Sequence, residues 1–320
     1  MERRILSGTG LEVSRIGLGT MTFGGQADEA AAARMTAACL DAGVNFFDTA
    51  NVYTAGESER ITGRVLGARR KDVVLASKVG MQAGDHPAGL SRDLILKAAE
   101  DSLARLNTDY LDIYYFHLPD YGTPIEESLE AMDRLVRQGK VRYVAASNYA
   151  SWQTARMLCL AENNGVPAAR IAQQMYNLIA RRLEDEYIPM ARELGVSIVA
   201  YNPLAGGLLT GKQQPAAPAA GTRFDGNRTY LDRYWNGHNF EAVERLRQAA
   251  GSAGRSLVSL AINWLLHHSA ADSVILGASR AEQLEENLAA AREGPLPAAA
   301  LAACDEVWST LRGAAPKYNR

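Results

Sequence analysis

Short apolar runs alternate with helical patterns along almost the whole chain, and this alternation is the strongest constraint on the fold. Several runs are apolar nearly throughout, as expected for strands of a parallel sheet covered on both faces. Eight strand–helix units without an obvious linker favour a (β/α)8 TIM barrel over two separate domains. The predicted strands are Ile16–Leu18, Val44–Phe47, Val73–Lys78, Leu111–Phe116, Val141–Ala146, Ile171–Gln174, Ser197–Ala200 and Ser273–Leu276.

Helical patterns lie between these strands, and several carry end signals. Ser91 is a predicted N-cap, whereas Gly139, Gly165 and Gly195 are predicted to close helices. A β-hairpin over 3–13 precedes the barrel, and residues 1–320 are predicted to form one domain. The predicted helices are Asp28–Ala42, Ser58–Leu66, Ser91–Leu106, Ile125–Gln138, Ser151–Asn164, Glu186–Leu194, Val258–His267 and Arg280–Arg292.

Two segments do not fit the alternation. Residues 212–221 are rich in proline and alanine, and residues 222–239 are polar with several aromatic side chains. Together, residues 212–239 form a long excursion after the seventh strand, which predicts a lid or cofactor loop; the alternative is a disordered segment. Residues 297–320 predict a C-terminal helical extension with a loose end.

Composition and charge exclude several classes of protein. The chain has 320 residues, of which 47% are hydrophobic and 22% charged, as in ordinary globular proteins. A net charge of -2 provides no basic field for nucleic acid or for an anionic membrane. The sequence shows no signal peptide and no run of roughly 18 apolar residues. A cytoplasmic location is therefore predicted, without membrane or nucleic-acid partners, and the oligomeric state is left open.

The cysteines and histidines do not predict a metal centre. Cys39, Cys159 and Cys304 are far apart and odd in number, and each lies in a helical context. Buried, reduced thiols are therefore favoured over a disulfide or a metal site. The five histidines lack metal-ligand spacing, and the adjacent His267 and His268 are interpreted as polar residues at a helix end.

Two glycine-rich motifs resemble nucleotide-binding loops but depart from them. Residues 17–22 begin like a dinucleotide fingerprint, yet the third glycine and the following helix are missing. Residues 206–212 match most of a P-loop, but Gln213 replaces the magnesium-binding hydroxyl and Pro215 blocks the expected helix. A glycine-rich loop with one lysine can still bind a pyrophosphate without hydrolysing it.

Titratable side chains stand at the ends of three successive predicted strands. Asp48 ends one strand and Tyr53 follows five residues later, Lys78 ends the next strand, and His117 follows the third. Each alone could be a cap, a packed aromatic, a solvated strand end or a core histidine. Their joint occurrence at strand ends favours an active site, because barrel enzymes place catalytic residues there. Together these four groups can protonate a carbonyl oxygen.

These residues are part of a larger set of motifs. Through these motifs, nearly the whole chain resembles the aldo-keto reductases, which are NADPH-dependent carbonyl reductases with a (β/α)8 barrel. Two of the motifs, residues 22–26 and 285–287, are similar to the branch with bacterial reductases, aflatoxin-aldehyde reductases and potassium-channel β subunits. The remaining motifs are Gly17–Thr20, Phe47–Ala50 with Tyr53, Ser77–Lys78, Tyr114–His117, Gly139–Tyr143 with Ser147–Asn148, Tyr201–Leu204, and Gly277–Gln283 with Asn287.

The resemblance implies a role for each of the four strand-end residues. Tyr53 would be the general acid that gives a proton to the carbonyl oxygen while hydride reaches the carbon. A free tyrosine has a pKa near ~10, and Lys78 beside the phenol would lower it. Asp48 would keep Lys78 charged and oriented. His117 would hydrogen-bond the substrate oxygen.

The resemblance also implies NADPH as cofactor and a small carbonyl compound as substrate. Ser147, Asn148 and Gln173 would bind the carboxamide, although the adjacent Gln174 could take the place of Gln173. Tyr201 would stack on the nicotinamide ring. The other residues implied in cofactor binding are Gly19, Thr20, Met21, Gln26, Asp48, Asn202, Pro203, Leu204, Ala205, Gly206, Lys212, Arg223, Gly277, Ser279, Arg280, Gln283, Glu286 and Asn287.

Arg280 is the candidate for the 2′-phosphate that distinguishes NADP from NAD. A guanidinium can bind a phosphate through two parallel hydrogen bonds, and a helix N-terminus also suits an anion. Neither Ser279 nor Arg280 is an acid that could bind a free ribose hydroxyl, so NADP is favoured. The alternative for Arg280 is an ordinary solvated helix start.

The chain departs from the family pattern at three positions. Gln213 stands where relatives often have tyrosine, Met21 lies where they often have tryptophan nearby, and Asn202 replaces a common serine. These departures leave the lid contacts and the shape of the pocket open, but not the chemistry.

Two alternatives to a reductase remain. An NADPH-binding regulatory or scaffold subunit with little turnover is one, but channel-type relatives typically carry asparagine where this chain has His117. A cofactor-free lyase that uses Lys78 as a Schiff base is the other, and Asp48 opposes it by keeping Lys78 protonated.

Overall fold

The computed structural model describes residues 1–319. Their strands are β1 (Arg3–Ile5), β2 (Glu12–Ser14), β3 (Ile16–Gly19), β4 (Phe46–Asp48), β5 (Val74–Val79), β6 (Leu111–Phe116), β7 (Val141–Ser147), β8 (Ile171–Met175), β9 (Ser197–Tyr201) and β10 (Ser273–Leu276). The last eight close a barrel in the order β10-β3-β4-β5-β6-β7-β8-β9, and β1 and β2 form an antiparallel hairpin. The predicted barrel and hairpin are therefore confirmed, with every predicted strand end within two residues of the observed one.

The α-helices of residues 1–319 are α1 (Glu29–Asp41), α2 (Glu57–Leu66), α3 (Arg92–Leu106), α4 (Ile125–Arg137), α5 (Ser151–Asn164), α6 (Tyr187–Glu193), α7 (Arg228–Tyr234), α8 (Gly237–Ser252), α9 (Leu257–His268), α10 (Ala281–Ala290) and α11 (Ala298–Arg312). Short 3-10 segments span Tyr53–Gly56, Gly67–Asp72, Arg182–Glu184, Ala205–Thr210 and Ala291–Glu293. Within residues 1–319, the helices are too short or too polar to cross a bilayer.

Apolar side chains from alternate strand positions fill the barrel. In β6, for example, Ile113 and Tyr115 belong to the central core, because successive side chains of a strand point to opposite faces. Leu6 and Val13 of the hairpin are fully buried in the same core. The last residue of β2 also donates its backbone N–H to Asn45 Oδ1 at 2.7 Å, just before β4. The hairpin therefore covers the N-terminal ends of the barrel strands.

Contacts along the described chain group it into two compact units. Unit 1 comprises residues 1–174, 189–199 and 272–285, and it contains the barrel core described above. Unit 2 comprises residues 175–188, 200–271 and the chain from 286 onward. The single domain over residues 1–320 stays a prediction, and its last residue, Arg320, lies outside the described residues.

The segment predicted as a lid or cofactor loop, residues 212–239, lies in unit 2 and contains an aromatic cluster. Phe224 is fully buried, and its ring centroid lies 6.2 Å from that of Tyr230 and 5.1 Å from that of Trp235. The segment also contains α7 and the start of α8, two helices that were not predicted. A role for this segment as a lid remains a prediction.

Two local predictions are wrong. Cys159 is exposed, because it lies on the outer face of α5, whereas Cys39 and Cys304 are buried as expected. The other wrong prediction concerns the loose end of the chain. The predicted N-cap position of Ser91 at the start of α3 is confirmed, although its side chain makes no cap hydrogen bond within the described residues.

The final residues contact the loop before α6 instead of hanging loose. Lys317 Nζ lies 2.5 Å from Asp185 Oδ1, and Tyr318 Oη donates to Glu186 Oε1 at 2.8 Å. Opposite charges and a phenol–carboxylate hydrogen bond therefore hold this segment, two interactions that a search for apolar periodicity does not detect.

Candidate active site

The first two predicted catalytic residues meet at the C-terminal ends of neighbouring strands. Asp48 is the last residue of β4, and Lys78 lies one residue before the end of β5, which pairs with β4 in parallel. Lys78 Nζ donates to Asp48 Oδ1 at 2.5 Å and to the Thr49 carbonyl oxygen at 2.7 Å. Lys78 is fully buried and Asp48 is 2% exposed, so the two form a buried ion pair.

The surroundings of Lys78 keep its ammonium charged. Burial acts to lower the pKa of Lys78, but attraction to Asp48, followed by its interactions with Tyr53, outweighs burial and raises that pKa above its ordinary value. A Schiff-base lysine must be neutral to attack a carbonyl carbon. The raised pKa therefore opposes the lyase alternative.

Tyr53 lies beside this ion pair at the start of a strained turn. Its hydroxyl oxygen is 3.2 Å from Lys78 Nζ. The next residues, Thr54, Ala55 and Gly56, have φ angles of 47°, 54° and 87°. Left-handed backbone is costly for residues other than glycine, and such strain is often found at functional sites. Here the turn lets α2 begin at once while the Tyr53 hydroxyl stays beside Lys78.

His117 follows β6 directly and completes the predicted four. Its ring meets the Tyr53 ring edge-on, with the centroids 6.0 Å apart and the planes at 81°. Burial lowers the pKa of His117 to about 3, and the charge of Lys78 acts in the same direction. Its Nδ1 is buried without a hydrogen-bond partner in residues 1–319. The imidazole is therefore neutral at physiological pH and can donate one ring N–H to a ligand.

We expect His117 to make the fold sensitive to acid. An exposed histidine titrates near 6.5, so the unfolded chain gains a proton that the folded chain accepts only near pH 3. This contribution to stability is complete above about pH 6.5 and is lost as the pH falls towards 3. The free energy of unfolding, measured by urea denaturation, should fall between pH 7 and pH 4.5 in the wild type. In His117→Asn this fall should be smaller by about 2–3 kcal/mol. Equal losses in the two proteins would contradict this assignment.

Two adjacent glutamines of β8 face different partners, which settles the register that the sequence left open. Gln173 Nε2 donates to Asp48 Oδ2 at 2.7 Å, whereas Gln174 Nε2 donates to the Tyr149 carbonyl oxygen at 2.9 Å. Alternation along the strand separates the two side chains. Gln173 is therefore the glutamine that faces the catalytic ion pair.

Ser147 and Asn148, at the end of β7, extend the same hydrogen-bonded network. Ser147 Oγ donates to the Gln173 carbonyl oxygen at 2.9 Å and accepts from Asn148 Nδ2 at 3.0 Å. Asn148 Nδ2 also donates to the His117 carbonyl oxygen at 2.8 Å. The three predicted carboxamide-binding residues and the catalytic residues thus lie together in unit 1.

The loop after β3 holds the next predicted cofactor residues. Gly19 ends β3, and Thr20 is fully buried with its hydroxyl oxygen 2.9 Å from Ser58 Oγ. The Thr20 hydroxyl is therefore engaged inside the protein, whereas Met21 and Gln26 are exposed.

The predicted 2′-phosphate region lies just before α10. Gly277 and Arg280 are exposed there. Ser279 donates both its backbone N–H and its hydroxyl to Gln283 Oε1, at 3.2 and 3.0 Å. Gln283 thus holds the residue that precedes Arg280.

The remaining predicted cofactor residues lie in unit 2, where Asn202 shapes its own loop. Asn202 has a φ of 62°, and its Oδ1 accepts the backbone N–H of Gly206 at 3.1 Å. Asparagine tolerates this left-handed conformation, which gives a physical reason for its presence instead of serine. The other predicted residues of unit 2 are Tyr201, Pro203, Leu204, Ala205, the exposed Lys212 and Glu286, the buried Asn287, and Arg223, whose guanidinium lies 5.4 Å from the Tyr230 ring centroid.

Sequence reasoning missed three groups around the ion pair. Tyr115 is fully buried, with its ring centroid 5.8 Å from Lys78 Nζ, and strand periodicity places it on the same face as His117. The Thr49 carbonyl oxygen accepts from Lys78 but has no sequence signal, since every residue has a carbonyl. Glu59 is fully buried behind the site. Glu59 is spaced three and seven residues before Thr62 and Leu66, which lie on the buried face of α2. This helical spacing could have predicted its burial.

Comparison with known proteins decides the family. The model of the Aldo/keto reductase family matches residues 15–309. The chain belongs to this family. This aldo/keto reductase is similar to Aflatoxin B1 aldehyde reductase member 2 of Homo sapiens, with 41% identity over 95% of this chain and 89% of the relative.

Two further relatives show the breadth of the family. A probable voltage-gated potassium channel subunit beta of Oryza sativa subsp. japonica is 36% identical over 92% of this chain and 93% of its own length. The uncharacterized oxidoreductase YrpG of Bacillus subtilis (strain 168) is 36% identical over 91% of each chain. The predicted family and its branch are confirmed. The chain is an oxidoreductase of a family that reduces carbonyl compounds.

Proposed function

We propose that this aldo/keto reductase reduces an aldehyde or ketone to an alcohol with NADPH, and that Tyr53 is the proton donor. The position of Lys78 Nζ, 2.5 Å from Asp48 Oδ1 and 3.2 Å from Tyr53 Oη, carries the proposal. Tyr53 gives its proton to the substrate oxygen, and the charge of Lys78 stabilises the phenolate that remains. Asp48 keeps that charge in place.

His117 fixes the substrate oxygen for this proton transfer. A neutral imidazole donates an N–H without competing with Lys78 for negative charge. Its ring lies edge-on to the Tyr53 ring, with the centroids 6.0 Å apart, so one small substrate can contact both residues. Two donors aimed at one oxygen stabilise the negative charge that develops there.

The donor groups near Asp48 suit a nicotinamide dinucleotide phosphate. Gln173, Ser147 and Asn148 supply amide and hydroxyl groups for a carboxamide, joined to each other and to Asp48 by hydrogen bonds. The exposed guanidinium of Arg280 suits a phosphate. NADPH, when bound, supplies the hydride. The roles of Tyr201 and residues 202–206 in binding it are part of this proposal.

Titration of the tryptophan fluorescence with NADPH, and separately with NADH, tests the proposal. Quenching at low micromolar NADPH is expected, followed by oxidation of the bound NADPH when 4-nitrobenzaldehyde is added. Lack of binding by either nucleotide would overturn the cofactor assignment. If NADPH binds but is not oxidised by any of several aldehydes and ketones, the assigned reaction is overturned.

We expect Arg280→Ala to weaken NADPH binding about 10- to 100-fold and NADH binding less than about threefold, because only NADPH carries the 2′-phosphate. The dissociation constants are measured by the same fluorescence titration. Arg292→Ala is the matched control, since Arg292 is also exposed but follows the far end of α10. Equal weakening of both nucleotides by Arg280→Ala would remove the 2′-phosphate contact from the proposal.

An NADPH-binding regulatory subunit with little turnover is the second candidate. Similarity to a protein named as a potassium channel subunit favours it. The neutral His117 beside the Tyr53 ring favours the reductase, because it provides a second donor for a substrate oxygen. NADPH binding without aldehyde-dependent oxidation would favour the subunit.

A further inference from the structure

Glu59 is a fully buried carboxylate that the proposed proton transfer does not use. It lies in the first turn of α2, and burying an acid is costly unless hydrogen bonds and an opposite charge compensate it. Its Oε1 accepts from Ser77 Oγ at 2.5 Å, and its Oε2 accepts from Arg105 Nε at 2.7 Å. One carboxylate thus joins α2 to β5 and to α3.

The partner of Glu59 on β5 is the residue directly before Lys78. Because neighbouring side chains of a strand point to opposite faces, Ser77 faces the helices while Lys78 faces the catalytic groups. The Glu59–Ser77 hydrogen bond therefore fixes the strand end that carries Lys78 against α2. The turn that begins with Tyr53 leads directly into α2.

Ser58 makes the corresponding attachment to the end of β4. Its Oγ donates to the Thr20 carbonyl oxygen at 2.7 Å and lies 3.0 Å from Thr49 Oγ1. The Thr49 carbonyl oxygen in turn accepts from Lys78 Nζ. Residues 58 and 59 thus attach the start of α2 to the ends of both strands that hold the ion pair.

The turn between Tyr53 and α2 requires such anchors. Thr54 and Ala55 adopt left-handed backbone conformations that they would not keep unsupported. Thr54 Oγ1 donates to the Phe23 carbonyl oxygen at 2.7 Å and accepts the Ser58 N–H at 2.9 Å. These bonds hold one end of the turn, and Glu59 holds the helix that follows it.

We propose that Glu59 is a positioning residue, whose hydrogen bond to Ser77 keeps Lys78 Nζ within hydrogen-bond distance of the Tyr53 hydroxyl. The proposal rests on the assigned chemistry of Tyr53 and adds a residue outside the predicted catalytic set. Without this bond, the end of β5 is free to move away from α2, and the ammonium stabilises the phenolate less.

Ser77→Ala tests the bond, because it removes one hydroxyl and leaves the Glu59–Arg105 ion pair. Carbon-13 NMR of Cζ-labelled tyrosine, assigned with Tyr53→Phe, follows the titration of Tyr53 directly. We expect its midpoint to rise by about one pH unit, the effect of about 1 Å greater separation from Lys78. In turnover assays under the same conditions as for the wild type, the kcat of Ser77→Ala should fall about five- to tenfold, while its KM should change less than about twofold.

Ser102→Ala is the matched control, since Ser102 is also fully buried and accepts from Arg105 Nη2 at 3.2 Å but belongs to α3 and not to the strand that carries Lys78. Its Tyr53 midpoint should equal that of the wild type. An unchanged midpoint in Ser77→Ala, or equal shifts in both variants, would overturn the positioning role. The NMR titration decides this even if the wild type oxidises no NADPH, so failure of the reductase proposal is recognised separately.

Discussion

Replacing Tyr53 by phenylalanine should lower turnover of a reactive aldehyde by about 10²- to 10⁴-fold and leave the NADPH dissociation constant within about threefold of the wild type. The change removes one oxygen atom and keeps the ring that packs edge-on against His117. Lys78 cannot readily take over as the acid, because it already donates to Asp48 and to the Thr49 carbonyl. The loss should therefore fall on proton transfer and not on binding.

Single-turnover oxidation of NADPH with excess enzyme measures this effect without a contribution from product release. Tyr121→Phe is the matched control, because Tyr121 is 85% exposed and the same single oxygen is removed. The control should turn over at the wild-type rate. If Tyr53→Phe also retained that rate, the proton donor would have to be sought elsewhere.

The barrel and the four central residues could be predicted because their signals are local. Buried parallel strands are short apolar runs, and Asp48, Lys78 and His117 each stand where such a run ends. Parallel strands bring their C-terminal ends to one face of a barrel. Residues far apart in sequence, such as Asp48 and Lys78, are thereby predicted to meet without any knowledge of their contact.

The contacts around these residues could not be predicted in the same way. Whether Gln173 or Gln174 faces Asp48 depends on which strand face is interior, and a buried strand that is apolar on both faces does not reveal this. The Glu59–Ser77 bond depends on how α2 packs against β5. Such packing is a property of two elements together, whereas the sequence pattern describes each element alone.

Two helices of unit 2, α7 and α8, were missed because their apolar patterns are weak or short. The buried residues of α8 include two alanines, Ala242 and Ala250, which contribute little to an apolar pattern. The available signal was a cap, since Asn236 Oδ1 accepts the Asn239 N–H at the start of this helix. The seven residues of α7 are too few to show a period at all.

Replacing Lys78 by methionine should separate the catalytic from the structural contribution of the buried ion pair. The variant should unfold with about 3–5 kcal/mol less free energy, because the carboxylate of Asp48, 2% exposed, loses the ammonium that offsets its charge. Removing that charge as well, in Asp48→Asn with Lys78→Met, should recover part of the loss, since the amide oxygen can still accept from Gln173 Nε2. Denaturation in guanidinium chloride of the wild type, Lys78→Met, Asp48→Asn and the double variant gives the coupling energy.

Among these variants, turnover should not recover when stability does. Stabilising the Tyr53 phenolate requires the charge of Lys78, so the double variant should remain about 10²- to 10⁴-fold slower than the wild type although it regains stability. Lys97→Met, which removes an exposed lysine paired with Asp101, should change neither quantity appreciably. A double variant that recovers turnover together with stability would show that Lys78 only neutralises Asp48. Persistent inactivity in a refolded, stable double variant would mean that the ammonium itself acts on the Tyr53 hydroxyl.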